Sequence, residues 1–175
     1  MIFRAREVLS DCKIALEILE EEQDLQRWRI HWAAAVALIR AVGHVLDKVD
    51  GGDPDIKNVA SKYFKSWKKL GPAHEIFREF IEKERNNILK EYQFGIHPNE
   101  EVGMVIQVGL EPVSGGKRIN VGEIFNIGEN IYRPLLDSYR EGDDARDVLS
   151  EAIDWWEIQL DLIDEEVAGL KIRRK

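Results

Sequence analysis

Apolar side chains recur along this chain at helical spacing in several long stretches. Between residues 3 and about 23, Ala5, Val8, Leu9, Cys12, Leu16 and Leu19 step by threes and fours, which puts them on one helical face. Five acids, Glu17, Glu20, Glu21, Glu22 and Asp24, crowd the end of that helix; they oppose its macrodipole and predict fraying there. The next helix, about 25–49, is the most apolar piece. Trp32 to Ile39 is apolar all round, as expected of the central helix of a bundle, and its alanines let neighbours approach closely. His31, Arg40 and His44 are its polar exceptions. Arg40 and His44 sit one turn apart and read as a satisfied polar pair at the bundle's edge.

Asp50 to Asp55 is a turn by composition, with Asp53 capping a third helix (about 54–70) whose first residue is Pro54. Ile56, Val59, Ala60, Tyr63, Trp67 and Leu70 face inward on it. Lys57, Lys62, Lys65, Lys68 and Lys69 form an outward basic stripe, the only substantial one in the chain. Gly71-Pro72 then punctuates the chain. The spacing predicts a long amphipathic helix over 72–94 with Phe77, Phe80, Ile81, Ile88 and Tyr92 as its core stripe.

From Gly95 the pattern changes. Two apolar runs, Met104 to Leu110 and Ile119 to Ile127, flank Pro112-Val-Ser-Gly-Gly116 and predict a β-hairpin; Ile131, Tyr132, Leu135 and Leu136 suggest a third strand that Pro134 would confine to an edge. Gly142-Asp-Asp opens a last helix running to about 170, with Ala145, Val148, Leu149, Ala152, Trp156, Leu160, Ile163 and Val167 inward. The expected fold is mainly α: one domain over residues 1–175, an up-and-down helical bundle with a small antiparallel hairpin or three-stranded sheet inserted at about 102–136, before the last helix.

Composition narrows the chemistry. A net charge of −8 argues against a broad nucleic-acid surface and leaves room only for a local basic site. No threonine and six serines supply few hydroxyl nucleophiles. The longest apolar run falls far short of the ~20 residues of a membrane span, and the single cysteine, Cys12, forms no internal disulfide; the expectation is a cytoplasmic protein away from membranes. Asp50 to Asp55 lacks the alternation and closing glutamate of a calcium loop, no Glu-x-x-His pair occurs, and four scattered histidines make no zinc set, so no metal or cofactor is expected. Gly116-Lys117 lacks the flanking residues of a phosphate loop, and Ser114 lacks the first glycine and the strand–helix setting of a nucleophile elbow.

One constellation remains, Arg85-Asn86-Asn87-Ile88-Leu89-Lys90-Glu91-Tyr92 on the 72–94 helix. It resembles the signature of the HEPN superfamily: an arginine, a polar residue, a few further positions and a histidine, with a tyrosine two positions later in some branches. Here lysine stands at the histidine position. The resemblance implies a compact helical bundle, commonly a homodimer with the motif helix at its interface, and an RNA or nucleotide ligand, while a protein partner stays unnamed. It implies Arg85 and Lys90 as the catalytic pair and Asn86 and Tyr92 as binding residues.

The lysine matters physically. Cleavage of RNA by its own 2′-hydroxyl needs a group that exchanges a proton near neutrality and a cation for the charge on phosphate. Arg85 supplies the cation, whereas an ordinary lysine stays protonated until about pH 10.4. His97, the nearest histidine in sequence, falls beyond the helix. Arg85 and Lys90 also stand about 140° apart around a helix, so a joint site would need a second copy across a two-fold axis. The expected function is therefore binding of RNA or nucleotide phosphate with nuclease activity weak or lost. The alternatives are a working metal-independent ribonuclease or toxin component that uses Lys90 or a distant histidine, and a non-enzymatic protein–protein module. An Arg85 buried against an acid would favour the last.

Overall fold

The computed structural model of the chain describes residues 1–96, 103–111, 119–126, 132–136 and 139–173. Its helices are α1 (Arg4–Glu21), α2 (Leu25–Lys48), α3 (Pro54–Trp67), α4 (Lys83–Glu91) and α5 (Ala145–Arg173), and its strands are β1 (Gly103–Leu110) and β2 (Ile119–Asn126). The mainly helical bundle with a small antiparallel sheet before the last helix is as the periodicity predicts. Helix α2 is its centre and packs against α1, α3, α4 and α5. An 18-residue window within residues 25–52 reaches a mean hydropathy of 1.2, long and apolar enough by composition to cross a membrane. Here the apolar face of α2 is bundle core, with Trp28, Trp32, Ala35, Val36, Ile39, Val42 and Leu46 buried.

Two aromatic groups fill the core. Trp28 stacks on Trp32 at 5.6 Å, and Trp32 meets Phe80 at 6.0 Å. Trp67, Trp155, Trp156 and Phe77 form the other group, with ring centroids 4.9–6.1 Å apart. A buried indole N–H usually finds a partner. Trp67 donates to Gln159 Oε1 at 2.8 Å and Trp28 to the carbonyl of Leu19 at 3.1 Å.

Side chains distant in sequence close the helix ends. The Asp50 carboxylate accepts from the backbone N–H groups of Phe3, Arg4 and Ala5, so the turn after α2 caps α1. Asp53 caps α3 beside Pro54, as predicted. The acids at the end of α1 are put to use: Glu20 meets Arg146 at 3.4 Å, and Asp24 caps α2 by accepting from the Arg27 N–H. The Arg78 guanidinium donates to the carbonyls of Trp67, Lys69 and Gly71, which closes α3 where Gly71 takes a positive φ of 136°.

The stretch expected as one helix over 72–94 is three pieces. A 3₁₀ turn (Pro72–His74) leads into a π-helical segment (Ile76–Glu82), then α4. The wider i→i+5 turn takes up roughly one extra residue, so the face read from a 3.6 period drifts across it. Ile76, Phe77, Phe80 and Ile81 are buried, and so is Ile88, but Tyr92 is 70% exposed and is not a core residue. The helix stops there because Tyr92 adopts a left-handed conformation (φ 53°), turning the chain so that the Gly95 N–H reaches Glu84 Oε1 at 3.1 Å.

Strands β1 and β2 pair antiparallel from Gly103 opposite Asn126 to Leu110 opposite Ile119; the Pro112–Gly116 connection lies outside the described residues. Alternation puts Ile106, Val108 and Leu110 on one face with Val121, and all four are exposed. The third strand does not form among the described residues. Leu135 and Pro134 make single bridges to Ile96 and Asp144. Proline brings no N–H for a ladder.

Candidate anion-binding site

On α2, the four-residue step from Arg40 to His44 aims both side chains past the core, and α4 brings Arg85 alongside. Arg85 is half-buried and makes no ion pair among the described residues; its guanidinium donates to Asn86 Oδ1 at 3.1 Å. It is therefore not braced against an acid. Arg85 stands near enough to act on both α2 side chains. Arg40 is held below the ordinary arginine range by burial, with Glu82 opposing and Arg85 reinforcing the shift. Burial, then Arg40 and Arg85, likewise lowers His44 below the ordinary histidine range.

Arg40 and His44 border a cleft of about 430 Å³ between α2 and α3, within the size range of small-ligand sites, and Arg85 stands behind them rather than in its lining. Its floor is aromatic: Trp67, Phe77 and Trp156 are buried, and Phe64 is 41% exposed at the mouth. Gly43 belongs to the floor because a Cβ there would stand 2.9 Å from the Trp156 ring. The Trp156 indole N–H has no partner among the described residues. The rim carries Arg40, His44, Lys48 and Lys65.

Charge around the cleft is unbalanced. Glu82 is shared by Arg40, at 3.3 Å, and Lys68. Asp47 is shared by Lys48, at 3.0 Å, and Lys57. His44, Lys65 and Arg85 have no carboxylate partner among the described residues. Among the described residues, two carboxylates thus serve six permanent cations and a histidine in and beside the cleft, in a chain whose net charge is −8. Part of the basic stripe read on α3 is plain surface, since Lys62 pairs with Glu166 at 2.8 Å, and one member of it, Lys65, borders the cleft.

Comparison of the chain with protein-family models, curated proteins and solved structures returned no match. The site stands on its own geometry.

The remaining motif residues separate. Asn86 touches Arg85, whereas Lys90 is exposed near the end of α4. Tyr92 lies beyond it, with its ring against Phe94 and Arg29. His97 is outside the described residues, as are Ser114 and Lys117. No group of three or more metal-ligating side chains occurs among the described residues. The sequence pairs Arg40 with His44, and Arg40 is satisfied by Glu82, but the sequence does not show that Arg85 lies beside them. The signal for the pair is an arginine and a histidine one turn apart on a helix otherwise fit for burial.

Proposed function

We propose that this protein binds the phosphate of RNA or of a nucleotide in the cleft between α2 and α3. The observation that carries the reading is the meeting of Arg40, His44 and Arg85, with lysines on the rim, around only two carboxylates. An excess of fixed cations beside an apolar floor stabilises an anion that brings its own apolar group. The two guanidinium groups and the histidine meet within one chain, so the site does not require a second copy. The HEPN resemblance still motivates a homodimer, which sedimentation would detect as ~40 kDa, twice the 20.2 kDa chain.

His44 favours a second reading, a metal-independent ribonuclease. It sits on the cleft rim, where partial burial and then two guanidinium groups hold it below the usual histidine range. It could exchange a proton while Arg85 and Arg40 hold the phosphate, a task for which Lys90 is badly sited. The apolar face of the hairpin offers a separate surface for a protein partner.

A mixed-sequence RNA incubated in chelator with wild type, Arg85→Ala, His44→Gln and Lys90→Ala separates the readings. Binding without cleavage by wild type, abolished in Arg85→Ala and kept in Lys90→Ala, is the result expected of the binding protein. Cleavage abolished by His44→Gln would establish the ribonuclease. Equal, feeble binding by all four would end both.

The pH dependence follows from the same residue. With folded pKa values lowered for His44 and His74, the unfolded chain takes up more protons below about pH 6.5, so stability falls as pH drops through that value. A bound phosphodiester favours the His44 imidazolium. Affinity for a dinucleotide, whose own charge is constant there, should rise as pH falls from about 8 to about 5.5. In His44→Gln the profile should be flat.

A further inference from the structure

At the far end of α2 lies a second arrangement of cation and aromatic rings. Tyr92 and Phe94 meet edge to face at 5.2 Å, and the Arg29 guanidinium stands over both rings, 6.0 Å from Tyr92 and 5.7 Å from Phe94. Arg29 is exposed and has no ion pair among the described residues. A hollow of about 480 Å³ opens beside it, lined by Trp28, Arg29, Phe94, Ile96 and Arg133.

Tyr92 is unusual on two counts. It leaves 70% of its surface in water, and it holds a left-handed backbone conformation that suits glycine or asparagine. A bulky aromatic there is costly to the fold, and the fold draws little burial from the ring in return. Strained backbone at an exposed side chain is a mark of a working position.

This patch is in line with the cleft. Eleven residues separate Arg29 from Arg40, so on an ideal helix they differ by only about 20° and lie ~16 Å apart along the axis. Ala33 and Ala37 occupy the same side between them, small and uncharged. Arg85 on α4 lies beside Arg40 and His44, while Tyr92, which ends the helix, lies beside Arg29. Antiparallel packing of α2 and α4 thus aligns Arg40, His44 and Arg85 at one end with Arg29, Tyr92 and Phe94 at the other. A mononucleotide reaches only one end. A stacked strand, rising ~3.4 Å per nucleotide, covers the distance in about five.

We infer that Tyr92, Phe94 and Arg29 form a base-stacking subsite, and that the ligand is a single strand of nucleic acid lying along α2 with a phosphate in the cleft. The inference rests on the phosphate reading of that cleft. Bases stack on aromatic rings whatever their identity, and arginine adds cation–π attraction, so recognition should be length-dependent and tolerant of sequence. Duplex is excluded from such stacking because its bases are already paired.

Fluorescence anisotropy with labelled strands of two and ten nucleotides, in RNA and DNA form, tests this on the full chain. The ten-nucleotide strand should bind wild type at least about tenfold more tightly than the two-nucleotide strand. Tyr92→Gly should erase that gain, so that the two strand lengths bind alike. Its Tm should hold or rise, because glycine relieves the left-handed position. Arg29→Gln should act in the same direction, and Tyr92→Trp should keep the gain. Equal binding of both lengths by wild type, or a full length gain in Tyr92→Gly, overturns the subsite while the cleft reading stands. Binding of neither strand overturns both.

Discussion

Trp67→Ala is expected to lower the stability of the fold by about 3–5 kcal/mol, the range for removing a large aromatic side chain from a packed core. The indole is 1% exposed and touches Trp155, Trp156, Phe77 and Phe64. Its removal leaves a cavity bounded by stiff rings on α3, α5 and the π segment, none of which can collapse into it cheaply. It also strands Gln159, 5% exposed, whose Oε1 accepts the Trp67 N–H at 2.8 Å. Domains of this size hold only about 5–15 kcal/mol in total. Thermal denaturation should show a drop of roughly 10 °C or more. Trp67→Phe should cost less, since it keeps most of the ring and gives up mainly the bond to Gln159. Because Trp67 also floors the cleft, Trp67→Phe should weaken ligand binding only slightly.

Arg85→Ala should do the opposite, sparing the fold and damaging the function. Arg85 is half-buried, has no carboxylate partner among the described residues and bonds only to Asn86, so its removal leaves no buried charge unpaired. The melting temperature should stay nearly constant. Binding of a short RNA should weaken at least about tenfold, the cost of one charge-assisted hydrogen bond of about 1.5–3 kcal/mol. The slope of affinity against salt should fall by about 0.7, the share of one neutralised phosphate on a single strand. Arg40→Ala would be harder to read, because it also alters the ion pair with Glu82.

Much of this architecture is legible in the chain because it follows from local rules. The face of α1, the apolar centre of α2, the Asp53-Pro54 start of α3 and the two strands around a glycine-rich connection each come from periodicity or turn chemistry within a few residues. The π segment escapes such reading, since its buried positions also fit an α-helix and the widening shows only once Phe77 and Phe80 must meet rings from other helices. Tyr92 misleads for another reason: one turn beyond the buried Ile88 it fits the core stripe, but the helix ends at Glu91 and its left-handed backbone leaves the ring exposed.

The site is half legible. Arg85 and Asn86 can be singled out from their spacing, but Arg40 and His44 lie more than forty positions earlier. They join Arg85 only when α4 packs beside α2. Lys90 shows the converse: near Arg85 in sequence, it sits about 140° around the helix and stays apart from the cleft. Charge balance is hidden as well. A chain of net −8 gives no hint that two carboxylates serve a whole cluster of cations until the ion pairs are known.

Binding of phosphate at the cleft floored by Trp156 and rimmed by Arg40 and His44 is tested most directly by NMR. The measurement is a backbone and indole amide titration of the wild-type chain with an RNA dinucleotide at millimolar concentration. Shifts are expected at Gly43, His44 and Arg85 and at the Trp156 indole N–H, and they should disappear in Arg85→Ala. Absence of any shift, or shifts confined to the hairpin or to α5 beyond Trp156, would contradict phosphate binding there.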